Sequence, residues 1–96
     1  MWVRTIEVKI QIDKLDELRE IYNDQIVPTV KSQKGNIDVF LMESMDREGE
    51  VMSFTLWDSK EDGDAYEASG TYVEMVNKVK HTFVGSPTLW SYDVKK

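Results

Sequence analysis

Apolar and polar side chains alternate with a period of two from Trp2 to Ile12. Trp2, Ile6, Val8, Ile10 and Ile12 are apolar, whereas Thr5, Glu7, Lys9 and Gln11 are polar. That period predicts a strand with one buried face. Arg4 interrupts the apolar set and Val3 the polar one. Asp13 reads as an N-cap, and Asp16 and Glu17 place negative charge in the first turn of a helix. Leu15, Leu18, Ile21, Tyr22, Ile26 and Val30 then recur at helical spacing. Pro28 stands inside this pattern and predicts a kink or interruption near Ile26 and Val27. Gly35 predicts the stop, behind Lys31 and Lys34.

Ile37 to Ser44 and Val51 to Trp57 are two further strands. The polar Asp46-Arg47-Glu48-Gly49 between them predicts an antiparallel hairpin. Ser59 with Asp62 three residues on is a capping-box variant that opens a second helix. Ala65, Tyr66, Ala68, Tyr72, Val73, Val76 and Val79 form its predicted buried stripe, broken or kinked at Ser69-Gly70. Gly85-Ser86-Pro87 reads as a turn before a last strand from Thr88 to Val94, with Leu89 and Trp90 on opposite faces. The order β-α-β-β-α-β predicts an α+β, ferredoxin-like domain: a four-stranded antiparallel sheet with both helices on one face. Trp2, Val3, Phe40, Met42, Met52, Phe54 and Trp90 exceed what one helix-covered face needs. A second copy packed sheet-on-sheet, a homodimer, would cover the other face.

The chain has 96 residues, which predicts a single domain over 1–96. It has no cysteine, which removes disulfides, thiolate nucleophiles and Cys-ligated metals, and its one histidine, His81, gives no zinc cluster. No metal site is expected. A net charge of −6 without a basic stripe argues against nucleic acid and anionic membrane surfaces as partners. No apolar run is long enough to span a bilayer, so the expected location is the cytoplasm.

Arg4 is the most informative polar residue. An arginine on the apolar face of a strand must be paired, snorkel from the sheet edge or face a polar cavity. Near the strand's start, snorkelling or an ion pair across a dimer interface competes with binding an anionic or enolate oxygen. Tyr66 and Tyr72 read as core or rim residues with their hydroxyls toward solvent. His81 falls at the end of the second helix, where its charge suits the dipole. Glu61, Asp62 and Asp64 are a solvated helix start without calcium-loop spacing, and Met42, Met45, Met52 and Met75 are filler in a core or dimer seam.

Pro28, Gly35, Met42-Glu43-Ser44, the hairpin, and Leu56-Trp57-Asp58-Ser59 leading into an acidic helix start together resemble the antibiotic-biosynthesis-monooxygenase-like family of dimeric α/β barrels. The resemblance spans nearly the whole chain. It implies a cofactor-independent oxidation by O₂ of a small planar aromatic or quinol-type compound, in which the deprotonated substrate itself supplies the electron. The protein then contributes a dry pocket, a proton acceptor and a donor for the developing anion. In that branch a strand Trp acts with an Asn four residues earlier and a Tyr six later; Trp57 matches, while the other positions hold Ser53 and Gly63.

The resemblance therefore implies catalytic roles for Trp57, Tyr66 and His81, with Trp57 on the pocket wall and His81 as a distant proton acceptor. It implies substrate contacts from Arg4, Ser53, Thr55, Trp57 and Tyr72. A non-catalytic ligand-binding dimer is the alternative, and a haem-degrading branch is a third. That branch uses an Asn, a Trp and a His where this chain offers Thr5 or Ile6, Tyr66 and Val76, and His81 lies more than one helical turn past the ligand position.

Overall fold

The computed structural model describes residues 1–95. Four strands, β1 (Trp2–Ile10), β2 (Asn36–Glu43), β3 (Glu50–Trp57) and β4 (Phe83–Asp93), form one antiparallel sheet in the order β2-β3-β1-β4. Helices α1 (Leu15–Ile21) and α2 (Val27–Lys31) join β1 to β2, and α3 (Lys60–Ala68) and α4 (Gly70–Val79) join β3 to β4. The α+β ferredoxin-like order predicted from the periodicities is present, and each predicted helix is divided in two.

The division of the first helix has a physical cause. Pro28 has no N–H to give, and in a regular helix its ring would strike the carbonyl four residues back. The chain answers with a π-helical turn, Tyr22–Ile26, closed by the Val27 N–H on the Tyr22 carbonyl. The Thr29 hydroxyl donates to the Gln25 carbonyl at the junction (2.8 Å). Asp13 does not act as the N-cap: it lies inside a 3₁₀ turn, Ile12–Lys14, and no side chain caps either helical start there. β1 accordingly ends at Ile10, whose N–H bonds the Gly49 carbonyl (2.7 Å), and Ile12 is exposed.

The second helix is capped as its sequence predicts. Ser59 is extended and accepts the Asp62 N–H at 3.2 Å. Ser69 leaves helical geometry (φ −82, ψ 155) and resets the rotational phase. The predicted stripe is corrected on both sides of that break: Ala65 and Ala68 of α3 and Val73 of α4 face solvent, whereas Gly63, Tyr66, Met75 and Val79 are buried. The Gly85-Ser86-Pro87 turn is also corrected. β4 already starts at Phe83 and passes through Gly85 (φ 78), where the pairing with β1 slips between Glu7 and Lys9. An irregularity of this kind bends an edge strand without ending it.

Register sorts the two faces. Trp2, Arg4, Ile6 and Val8 stand opposite Trp57, Thr55, Ser53 and Val51, and Val39 and Leu41 continue this set on β2. The core of Ile10, Leu15, Leu18, Tyr22, Ile26, Val30, Val39, Val51, Trp57, Tyr66, Met75 and Val79 lies between this face and the helices. The opposite face carries Val3 flanked by Leu56 and Tyr92, and Thr5 flanked by Phe54 and Trp90. Phe40, Met42, Trp90 and Tyr92 are each at least 42% exposed there.

Candidate functional site

Between the helices and the sheet lies a cavity of about 110 Å³ lined mainly by apolar groups from all four strands, α1, α2, α4 and the π turn. Its polar lining is Arg4, Tyr22, Ser53, Thr55, Tyr66, Glu67 and Tyr72. An apolar cavity of roughly 150 Å³ holds one benzene ring, so this somewhat smaller space admits at most a single small ring. Such a pocket, apolar with a few converging polar groups, is where a ligand site is to be sought.

At one wall, Arg4 meets Glu67 in a two-pronged ion pair, Nε to Oε2 at 2.8 Å and the second guanidinium nitrogen to Oε1 at 3.1 Å. The two side chains are only 18% and 20% exposed. The guanidinium carbon also sits 5.0 Å above the Trp2 ring, a cation–π contact. Arg4 is thus both paired and cavity-facing, and its partner belongs to its own chain.

On the floor, the Tyr22 hydroxyl is 3.1 Å from the Phe40 carbonyl and 2.7 Å from Ser53 Oγ. Burial pushes the Tyr22 phenol up to about 12, against a smaller opposing effect of the Ser53 bond. Tyr66 and Tyr72 meet edge to face with centroids 5.7 Å apart. Burial raises the pKa of both, and the neighbouring Glu67 charge adds to it. All three phenols therefore keep their protons at neutral pH and act as donors rather than bases.

Trp57 does not form part of the lining. It is 1% exposed and stacks behind Tyr66, centroids 5.3 Å apart and planes 28° from parallel. Its Nε1 donates to Thr55 Oγ1 (3.0 Å), which donates in turn to the Arg4 carbonyl (3.4 Å). Trp57 acts on the cavity only through Tyr66 and Thr55. His81 is exposed on the 3₁₀ turn Lys80–Thr82, pairs with Glu17 and does not line the cavity. The structure thus gathers Arg4, Ser53, Thr55, Tyr66 and Tyr72, places Trp57 behind them and leaves His81 apart.

Two lining residues, Tyr22 and Glu67, escaped the sequence reading. Tyr22 carried a signal: a hydroxyl on the stripe Leu18–Tyr22–Ile26 needs a buried partner. Glu67 carried one only jointly with Arg4, 63 positions away. Gly63, the position of the oxygenase branch's tyrosine, is closed by a neighbour. A Cβ built there would collide with Trp2 Cζ3 and Cε3.

The antibiotic biosynthesis monooxygenase profile matches residues 1–78. No curated protein matches the chain. Among solved structures, a Nitrosomonas europaea protein described under the same family name superposes with a TM-score of 0.84 at 15% identity, over 98% of each chain. An antibiotic biosynthesis monooxygenase structure gives 0.83 at 14% identity, over 100% of both chains. A Mycobacterium tuberculosis protein gives 0.79 at 20% identity, over 100% of this chain and 97% of its own. At these identities the likenesses establish the fold, while the profile covers most of the sequence: the chain belongs to the antibiotic biosynthesis monooxygenase family.

Proposed function

We propose that this protein is a cofactor-independent monooxygenase acting on a single-ring hydroquinone-type compound, as a homodimer joined through its sheet faces. The observation that carries the reading is the apolar cavity of about 110 Å³ with hydroxyl donors and one carboxylate on its walls. A hydroquinone needs no external reductant: C₆H₆O₂ + O₂ gives 2-hydroxy-1,4-benzoquinone, C₆H₄O₃, and H₂O. One oxygen atom enters the ring carbon and the other leaves as water.

In this reading Glu67, the carboxylate among the lining residues, receives the substrate proton, and Arg4 holds it in place. The Tyr66 and Tyr72 hydroxyls donate to negative charge developing on the ring oxygens or on oxygen itself. Ser53 and Thr55 orient the ring, and Trp57 fixes the plane of Tyr66. His81 has no part in it, being outside the cavity and paired with Glu17. The dimer rests on the exposed row of Phe40, Met42, Trp90 and Tyr92, an apolar sheet face of the kind that marks an association surface.

The test is 1,4-hydroquinone in ¹⁸O₂ with product mass spectrometry against a protein-free control. Protein-dependent formation of hydroxybenzoquinone carrying one ¹⁸O is expected, lost in Glu67→Gln and Trp57→Ala while the dimer persists. Oxidation without label, or labelled product undiminished in both variants, would remove the reading. The Trp2 ring against Gly63 favours one alternative, a ligand-binding domain without turnover, which the same experiment reports as saturable binding with no labelled product.

A further inference from the structure

We infer that Tyr22 determines ligand selectivity by fixing the Ser53 hydroxyl as an acceptor, so that the cavity selects rings bearing an O–H or N–H donor over rings bearing only an acceptor. This rests on the reading of the cavity as a ring site and specifies what its floor demands.

The argument is one of proton counting. Tyr22 has one hydroxyl proton and two close oxygen neighbours, the Phe40 carbonyl at 3.1 Å and Ser53 Oγ at 2.7 Å. A carbonyl can only accept, so the Tyr22 proton goes to Phe40. The Tyr22–Ser53 bond must then be made with the Ser53 proton. The chain runs Ser53 Oγ–H to Tyr22 O–H to the Phe40 carbonyl, and nothing is left on Ser53 but lone pairs. Ser53 lines the cavity, so its remaining capacity is available to a ligand donor.

Reversing the chain would let Ser53 donate to a ligand, with Tyr22 donating to Ser53, but it breaks the bond to Phe40. Tyr22 has no second proton with which to remake it, so an acceptor ligand gains one bond at Ser53 and forfeits one at Phe40. One net hydrogen bond corresponds to about fivefold in Kd, and that is the size of the discrimination. Arg4 does not offset it for an anion, because Glu67 already holds its guanidinium at two points.

Three probes of one ring each separate the possibilities: phenol donates, benzonitrile only accepts, and toluene does neither. Their Kd values are read by NMR titration of the ¹⁵N-labelled protein. Phenol is expected to bind about fivefold tighter than toluene, and benzonitrile no tighter than toluene. In Tyr22→Phe the Ser53 proton is released, and benzonitrile should gain about fivefold relative to toluene. In Ser53→Ala the advantage of phenol over toluene should vanish. Benzonitrile matching phenol in the unmodified protein would overturn the inference, as would a benzonitrile-to-toluene ratio unchanged by Tyr22→Phe. Those outcomes leave the ring site standing, whereas failure of all three probes to bind at millimolar concentration removes the ring site itself and the selectivity with it.

Discussion

Replacing Gly63 by alanine tests how the site came to differ from the oxygenase pattern. Gly63 is buried inside α3, where alanine is intrinsically better than glycine by about 0.5–1 kcal/mol. If nothing opposed the new methyl, Gly63→Ala would stabilise the protein by that amount. The methyl would instead collide with Trp2 Cζ3 and Cε3. Trp2 is 5% exposed, and its ring lies under the Arg4 guanidinium at 5.0 Å, so it cannot turn aside without disturbing a second contact. Overpacking of this kind costs about 1–3 kcal/mol. The balance is a net loss of about 0.5–2 kcal/mol, opposite in sign to the propensity effect. Urea unfolding of the unmodified protein, Gly63→Ala, Trp2→Leu and the double variant measures it. Trp2→Leu alone should be destabilised by about 2–4 kcal/mol. On that background Gly63→Ala should stabilise, giving a coupling of about 1–3 kcal/mol between the two sites. A stabilised Gly63→Ala single variant, or a coupling below about 0.5 kcal/mol, would refute the claim that Trp2 closes this position.

Three further outcomes follow from the same geometry. Ser59→Ala removes the acceptor of the Asp62 N–H and should cost about 1 kcal/mol in thermal or urea unfolding. Tyr22 is raised from 10.0 to about 12 in the folded protein. Its contribution is therefore complete below pH 10 and lost as pH rises through 12, because the unfolded chain gives up the proton first. Stability should fall by about 2–3 kcal/mol more across that window in the unmodified protein than in Tyr22→Phe, as followed by circular dichroism. Trp90→Asp puts a charge on the exposed apolar sheet face; under the proposed sheet-to-sheet dimer it should give a monomer in light scattering while the far-ultraviolet spectrum is kept.

Sequence periodicity revealed the elements because each period is a local property. The alternation in β1 and the Ser59 cap are written in neighbouring residues, and both stand in the structure. Features that depend on pairing were not legible in this way. Gly85 looks like a turn residue until β4 is laid against β1, where the positive φ serves a slip in register instead. The break at Ser69-Gly70 was legible in the stripe from Ala65 to Val79, but which side chains face the core on either side of it depends on how α3 and α4 lie on the sheet, and Ala65, Ala68 and Val73 turn to solvent. The site follows the same division. Arg4 announced itself by breaking an apolar face, but its partner Glu67 is 63 residues away, and Ser53 is 31 from Tyr22. Trp57 illustrates the converse, since its position in the strand was evident while its place behind Tyr66 depends on where α3 lies.

These polar pairs change what a charged residue in the cavity means. Arg4 alone would make the site an anion trap, and a bare Ser53 would be a rotor able to greet donor or acceptor alike. Neither is free. Glu67 cancels the field of Arg4 at two hydrogen bonds, and Tyr22 holds the Ser53 proton by passing its own to the Phe40 carbonyl. With the net charge inside the cavity reduced to zero, discrimination among small rings falls to hydrogen-bond direction, which is set by proton counting and not by attraction over distance. The same pairing suits the proposed chemistry. A neutral quinol enters an apolar space without a desolvated counter-charge waiting for it, and its donor finds Ser53. Negative charge arises only when a proton leaves for Glu67, beside phenols that burial keeps protonated. A site arranged in this order favours the charged state over the bound neutral one, and interactions that strengthen only as the reaction proceeds are those that accelerate it.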